Sequence, residues 1–401
     1  MLVVNQSFLT RWFALVFLSA CAAEFCSSLL VHFPGYLLEL GIDEVRIGMI
    51  VGVAGLATIL IRPSVGRLMD RRGRRMVIRA GTLMVAASTV AMAFIGEMGV
   101  PLVAARLVQG MGQAVTITGF WAYIADRVPA ANRSQGIAVF GISGLLPMGI
   151  APALGDLVLT TGWSYRGIFL LASGFAMVAF ALSLGLHESG PIFGASSTGF
   201  RSLLSNERLR PVWVATVFLS IAFTTAFIFV KTYVTTTGLD SVGPFFAAFA
   251  LTAIVWRLGF GRLPDTLGLK AAIGPGLAAY AIGLSIIGTI GGTIGLVIGG
   301  LLAGLGHGIA YPVVLAIATI RSPEADRGTV TATFTAVFDL VLFVIAPGIG
   351  WLIASFGYPA MFLTVSGAVV GGIALFYGLD RGQTGTRSAT AGRETAPVRH
   401  G

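Results

Sequence analysis

Stretches of about twenty predominantly apolar residues follow one another from Arg11 to Tyr377, separated by short polar or basic segments. About 20 such residues cross the hydrocarbon core of a bilayer as a helix. Lipid offers no water to an unpaired backbone group, so runs of this kind must be helical. With 56% of residues hydrophobic, 11% charged and a mean hydropathy of +0.89, the chain lies outside the range of soluble globular proteins. The reading is an all-α integral membrane protein.

Twelve candidate spans are expected, near residues 11–38, 47–66, 77–98, 100–125, 136–160, 166–187, 211–235, 242–263, 271–290, 293–319, 329–354 and 356–379. This divides the chain into a six-helix half at 1–187, a cytoplasmic linker at 188–210, a second six-helix half at 211–379 and a tail at 380–401. The tail has no apolar periodicity and reads as disordered. The first run is long enough to span and no small-residue cleavage pattern follows it, so it is read as a helix and not a leader. The 54 glycines suit helices that pack backbone to backbone in lipid.

Between the second and third spans lies GRLMDRRGRR, residues 66–75, with five arginines around the single acid Asp70. So basic a loop between apolar spans belongs at a membrane surface, and the positive-inside rule puts it in the cytoplasm. An even number of spans then places both termini there, in a multi-pass protein of the inner cell membrane. The net charge of +9 does not describe a nucleic-acid-binding face. Of the 26 basic residues, all but Arg46, Arg106, Arg166 and Lys231 fall in or beside the expected cytoplasmic segments. The two cysteines, Cys21 and Cys26, share one span and read as small packing residues. No metal-ligand cluster, phosphate loop or nucleophilic triad stands at a suitable spacing, so neither an enzyme nor a resident cofactor is expected.

The two halves are copies. Shifted by 195 residues, Arg62, Gly66, Arg67, Leu68, Asp70, Gly73 and Arg75 meet Arg257, Gly261, Arg262, Leu263, Asp265, Gly268 and Lys270. Shifted by 194, Gly110, Gly112, Arg127 and Pro129 meet Gly304, Gly306, Arg321 and Pro323. At 195 again, Ala151, Pro152 and Gly155 meet Ala346, Pro347 and Gly350. Repeats of six spans enter the membrane in the same sense, related by an axis along its normal.

Two such halves with this loop resemble the major facilitator superfamily of secondary transporters, in the style of its bacterial sugar-efflux and drug/proton antiporter branches. Gly66, Asp70, Arg71, Gly73, Arg74 and Arg75 match the superfamily pattern GxxxDRxGRR. Arg106, Gln109, Gly110, Gly112 and Ala114 are similar to a second pattern, RxxQGxGxA. The resemblance implies a latch in which Asp70 caps a helix of the other half near Gly328 and Thr329, where a positive N-terminus favours an acid. The simpler alternative is that these arginines only set topology. Asp265, flanked by Thr266 and Leu267 in place of arginines, is expected to be a weaker second latch. Ala151, Pro152 and Gly155 match the antiporter pattern GPxxGG only partly, with Asp156 where the last glycine would stand.

Ionisable groups inside apolar spans are costly and functional by default. Glu24 is the first candidate for proton coupling, with Asp339 second. Helical rise places Arg106 at a depth similar to Glu24, where they can pair either as a proton switch or as a permanent structural link. His32 titrates in the useful range but is equally read as an interfacial residue. Gln109, Gln113, Thr116 and Trp121 continue from Arg106 along span four and, with His307, Tyr311 and Lys231 of the second half, are candidates for a substrate cavity. Lys231 stands near the end of its span, where it can also snorkel to the surface. The expected function is proton-driven efflux of a small organic compound by alternating access, with a proton gradient as driving force, no nucleic acid and a monomer in the bilayer. An importer of a sugar or organic acid is the alternative within transport, and a scaffold or sensor retaining the fold is the alternative outside it.

Overall fold

The computed structural model describes residues 10–128, 139–188, 200–261, 263–323 and 326–380. The described residues of the first half form α1 (Arg11–Leu29), α2 (Phe33–Glu39), α3 (Glu44–Arg72), α4 (Arg74–Phe94), α5 (Val100–Arg127), α6 (Ile142–Thr160) and α7 (Tyr165–Leu184). A short α8 (Phe200–Ser205) precedes the second half. That half contains α9 (Arg210–Thr224), α10 (Val230–Thr236), α11 (Gly243–Gly259), α12 (Leu263–Leu267), α13 (Leu269–Thr289), α14 (Gly292–Ile320) and α15 (Arg327–Asp380). Large apolar side chains such as Leu157, Leu251, Val344 and Phe356 lie exposed on the outside, which suits a surface bathed in lipid rather than water.

By length and apolarity, nine helices among the described residues can cross a membrane, against the twelve expected spans. Three places account for the difference. The stretch Thr329–Asp380 counts once, although Gly357, at φ +79°, bends it where the sequence separates two spans. Gly243–Gly259 has only 17 residues. Glu44–Arg72, which ends in the arginine loop, is not among the nine.

The duplication is visible in the packing. Gly73 (φ +83°) breaks the chain between α3 and α4, and Gly268 (φ +96°) does so before α13. Both turns need a left-handed residue that only glycine adopts freely. The Ser173 hydroxyl donates to the Ala86 carbonyl at 3.1 Å, and its counterpart Ser366 donates to Ala281 at 2.8 Å. Against α4, Gly112 leaves no room for a side chain between itself and the Gly81 carbonyl; Gly306 repeats this contact with the Gly276 carbonyl of α13.

The halves touch through α3 with the first part of α15, and through α6 with α11. A methyl group on Gly48 would strike the Ala346 carbonyl, and one on Gly350 would strike that of Glu44. These close approaches lie toward the bundle end opposite the arginine loop.

One domain boundary shifts. Asp380, expected to begin a disordered tail, is the last residue of α15 and is 1% exposed, because it pairs with Lys270 and with Arg321 (2.6 Å). Residues 381–401 and 189–199 lie outside the described residues.

Gly306→Ala is expected to destabilise the protein by about 1–3 kcal/mol, since the added methyl meets backbone that cannot rotate away. Gly174→Ala, which faces open space, is expected to be neutral. Thermal unfolding of both variants in one detergent checks the contrast.

Candidate functional site

A cleft opens within the first half, lined by α1, α4, α5, α6 and α7. Glu24 and Ser27 enter it from α1; Gln113, Thr116, Phe120 and Trp121 enter from α5. Four of the sequence-predicted residues therefore meet in one place: Glu24, Gln113, Thr116 and Trp121. They converge because α5 places residues 113, 116 and 120 on one face at helical spacing, opposite the face of α1 that bears Ala20, Glu24 and Ser27. The stripe continues beyond the cleft as a chain of hydrogen bonds. The Gln109 amide donates to Gln113 at 2.8 Å, and Arg106 donates to Gln109 at 2.6 Å.

The pairing expected between Glu24 and Arg106 is not formed. Arg106 turns to Gln109 and lies 4.8 Å from the centre of the Phe33 ring. Among the described residues no cation pairs with Glu24 and no carboxylate pairs with Arg106. Depth along two helices was similar, but the guanidinium faces its own helix and the aromatic ring instead.

In the second half, His307 sits in an aromatic nest, with ring centres of Phe223, Phe249 and Tyr311 at 5.4, 5.4 and 5.2 Å. Tyr311 continues to Phe334 and Phe338. Asp339, one residue further along α15, is half-buried, and its backbone carbonyl lies against Gly55 of α3 at the seam between halves.

At the arginine loop, the side chains of Gly66, Asp70 and Arg71 lie outside those described, and so does Gly328. Arg74 and Arg75 tie the loop to their own half. Arg74 is 4% exposed, with Nε 2.8 Å from Asp126 and Nη1 donating to the Met69 carbonyl. Its backbone N–H donates to Glu188 at 2.7 Å, and Arg75 donates from its N–H to the same carboxylate and from Nη1 to Leu186. Gly73 supplies the turn that brings this about. Asp265, on the five-residue α12, is exposed.

Two residues lie elsewhere than the sequence suggested. Lys231 neither snorkels nor lines the cleft: it is 4% exposed, with Nζ donating to Asp156 at 2.8 Å. His32 is fully buried inside the protein, with Nε2 donating to the Pro152 carbonyl at 2.9 Å and Nδ1 3.6 Å from Asp156. Compensation by the carboxylate holds both inside, where a lone charge would be too costly. Asp156 itself was missed. It is a single acid in an otherwise apolar run, the same signal that selected Glu24. Its other oxygen accepts from the Ser241 hydroxyl (2.6 Å) and from the N–H groups of Val242 (2.7 Å) and Gly243 (3.1 Å) at the start of α11.

Two pseudo-equivalent bundles of apolar helices, the first holding a cleft lined by Glu24, Gln113 and Thr116, define a polytopic membrane carrier of small molecules. Residues 12–340 and 245–400 match the family model described as Major Facilitator Superfamily, and the chain belongs to that family. It is 26% identical to an uncharacterized MFS-type transporter of Burkholderia mallei (strain SAVP1) over 358 residues, 85% of each chain. It is likewise 26% identical to the uncharacterized MFS-type transporter YhhS of Escherichia coli (strain K12) over 354 residues, 84% of each. Its fold is similar to that of the nucleoside transporter NupG, with a TM-score of 0.79, 12% identity and coverage of 91% of this chain and 98% of that one.

Arg74→Ala removes the guanidinium 2.8 Å from buried Asp126 and is expected to cost about 3–5 kcal/mol. The double variant Arg74→Ala, Asp126→Ala removes both charges and is expected to recover part of that loss. Folded yield and thermal unfolding of the three proteins check the coupling.

Proposed function

We propose that this protein is a proton-coupled exporter of a small organic compound, working by alternating access, with the arginine-rich end and both termini in the cytoplasm of a cell with this protein in its inner membrane. Glu24 carries the proposal. It is an acid within a membrane helix, it faces the cleft that Gln113, Thr116 and Trp121 share, and no cation among the described residues neutralises it. Such a group takes or loses a proton according to whether water, substrate or protein surrounds it. A substrate binding in the same cleft displaces water from the carboxylate, so substrate and proton compete for one space. That competition is the simplest physical basis for exchange. Ile117, Phe120, Trp121 and Phe140 supply apolar walls to the same cleft, which favours a compound with both polar and apolar parts. Asp339, at the seam, is the second coupling candidate. The gradient itself serves as the driving force, and the protein works as a monomer.

Import of an organic acid is the second reading, and Arg106 favours it. Its guanidinium is held by Gln109 above Phe33, with no carboxylate partner among the described residues, an arrangement suited to an anion. Arg106→Gln abolishing movement of anionic compounds while sparing neutral ones would support import.

Proteoliposomes with a pH-sensitive dye inside test the leading reading. Addition of a transported compound is expected to move protons in the parent protein, with the opposite sense to the compound, and to move none in Glu24→Gln. Counterflow of the compound alone is expected to persist in that variant. Proton movement unchanged in Glu24→Gln excludes Glu24 as the coupling group.

A further inference from the structure

At the bundle end opposite the arginine loop, four structural elements of the two halves meet on one buried carboxylate. Asp156 of α6 holds Lys231 of α10 through Oδ1 and the start of α11 through Oδ2. All of these partners belong to the second half, so this carboxylate fastens one half to the other. The site is built around small residues: Lys231 lies across Gly35 of α2, and the His32 ring occupies the space a side chain on Gly155 would need.

His32 is the member of this cluster whose chemistry is incomplete. The Pro152 carbonyl can only accept a hydrogen bond, so Nε2 bears the ring proton. Nδ1 then bears a lone pair, is fully buried, has no hydrogen-bond partner among the described residues and lies 3.6 Å from Asp156. We propose that Nδ1 of His32 is a proton-binding site, and that its occupation releases Asp156 and unfastens the two halves at this end. The inference rests on membership of the transporter family and on this geometry, not on the role given to Glu24.

The charge count supplies the mechanism. With His32 neutral, Asp156 and Lys231 balance, and the carboxylate accepts one hydrogen bond on Oδ1 and three on Oδ2. A proton on Nδ1 makes a second cation beside Oδ1, already held by Lys231, and leaves the buried cluster with an excess positive charge. The titratable groups around the ring are Asp156 on α6, Lys231 on α10 and the Tyr165 hydroxyl on α7, with Glu39 at the end of α2 beyond Tyr165. Among the described residues only Asp156 is an acid in direct contact, so no second carboxylate there absorbs the excess. Separation of the halves admits water to both cations and relieves the repulsion. The proton therefore binds the separated state more tightly than the fastened one, and that difference is what shifts the population.

The backbone supports the same assignment. Helix α1 passes into α2 through a 3₁₀ turn at Leu30–His32, and α9 passes into α10 through a π-helical turn at Thr225–Phe229. The two irregular turns begin 195 residues apart, at equivalent places in the repeat. The first contains His32, and the second ends two residues before Lys231.

The test uses the full chain in lipid nanodiscs, without substrate. Spin labels at Thr161→Cys and Thr293→Cys, both exposed and on opposite halves at this end, report the separation, with Cys21 and Cys26 changed to alanine. In the parent, a longer-distance population is expected to grow as pH falls from 9 to 5. His32→Gln keeps a donor for Pro152 but has no basic nitrogen, and is expected to stay at the short distance throughout. Asp156→Asn is expected to show the long distance at every pH. In parallel, ¹⁵N-histidine NMR, simplified by there being only four histidines, should show Nδ1 of His32 gaining a proton over the same pH interval. A separation independent of pH in the parent, a His32→Gln titration matching the parent, or an Nδ1 resonance that does not change across the transition would each overturn the proposal. If Asp156→Asn does not fold, the His32→Gln titration and the NMR measurement decide it.

Discussion

Helices surrounded by lipid gain little from hiding apolar side chains against one another, so close backbone approach has to hold this bundle together. The contacts that do so recur at matching places. Gly112 against Gly81 in the first half becomes Gly306 against Gly276 in the second, and Gly304 sits on the Phe249 carbonyl with no space for a β-carbon. The same device joins the halves, where Gly48 meets Ala346 and Gly350 meets Glu44. Packing of this kind is dense yet non-directional. Within a half it is reinforced by hydrogen bonds such as Ser173 to Ala86, and between halves it sets small residues such as Gly48, Gly52 and Gly55 of α3 against α15.

A smooth seam needs something directional to set its resting position. The hydrogen bonds from Lys231, Ser241, Val242 and Gly243 to Asp156 provide it, because a buried carboxylate that loses them is left uncompensated. The buried pair of Arg74 with Asp126 differs in kind: both partners belong to one half, so that pair moves as part of a rigid body. Where a buried ion pair sits relative to the seam therefore decides whether it ties together one half or joins the two.

Much of this architecture was legible in the sequence. The duplication appeared as paired residues 194 or 195 apart, and the helices, the turn glycines at 73 and 268, and the family follow from it. Convergence of Glu24 with Gln113, Thr116 and Trp121 was legible too, since helical spacing assigns side chains to faces. Side-chain pairing was not. Arg106 stands at the expected depth but is taken up by Gln109 and Phe33, because depth does not specify the direction of a long, flexible side chain. Asp156 was passed over because it was read as a departure from a glycine pattern. Its partners on α10 and α11 are at least 75 residues away in sequence, and no local signal announces them. Asp380 shows the same limit: a polar, aperiodic tail reads as disorder, yet its first acid is buried by Arg321 and Lys270.

The repeats share a skeleton, but their chemistry has diverged, and the divergence is where function resides. One half lines its cleft with a carboxylate, an amide and several hydroxyls; the other packs rings around His307. The turns interrupting the first span of each half differ in the same way. A 3₁₀ turn tightens the helix and a π turn loosens it, so the residues that follow are rotated in opposite senses relative to an uninterrupted helix. Lys231 would align with Tyr36, not with His32, in the 195-residue register. It reaches Asp156 from across the seam because the broken helices turn both basic groups toward the same acid. A symmetric pair of straight helices would present equivalent residues to each other across the axis. This asymmetric pair presents an ammonium and an imidazole, two groups of different chemistry, to a single carboxylate.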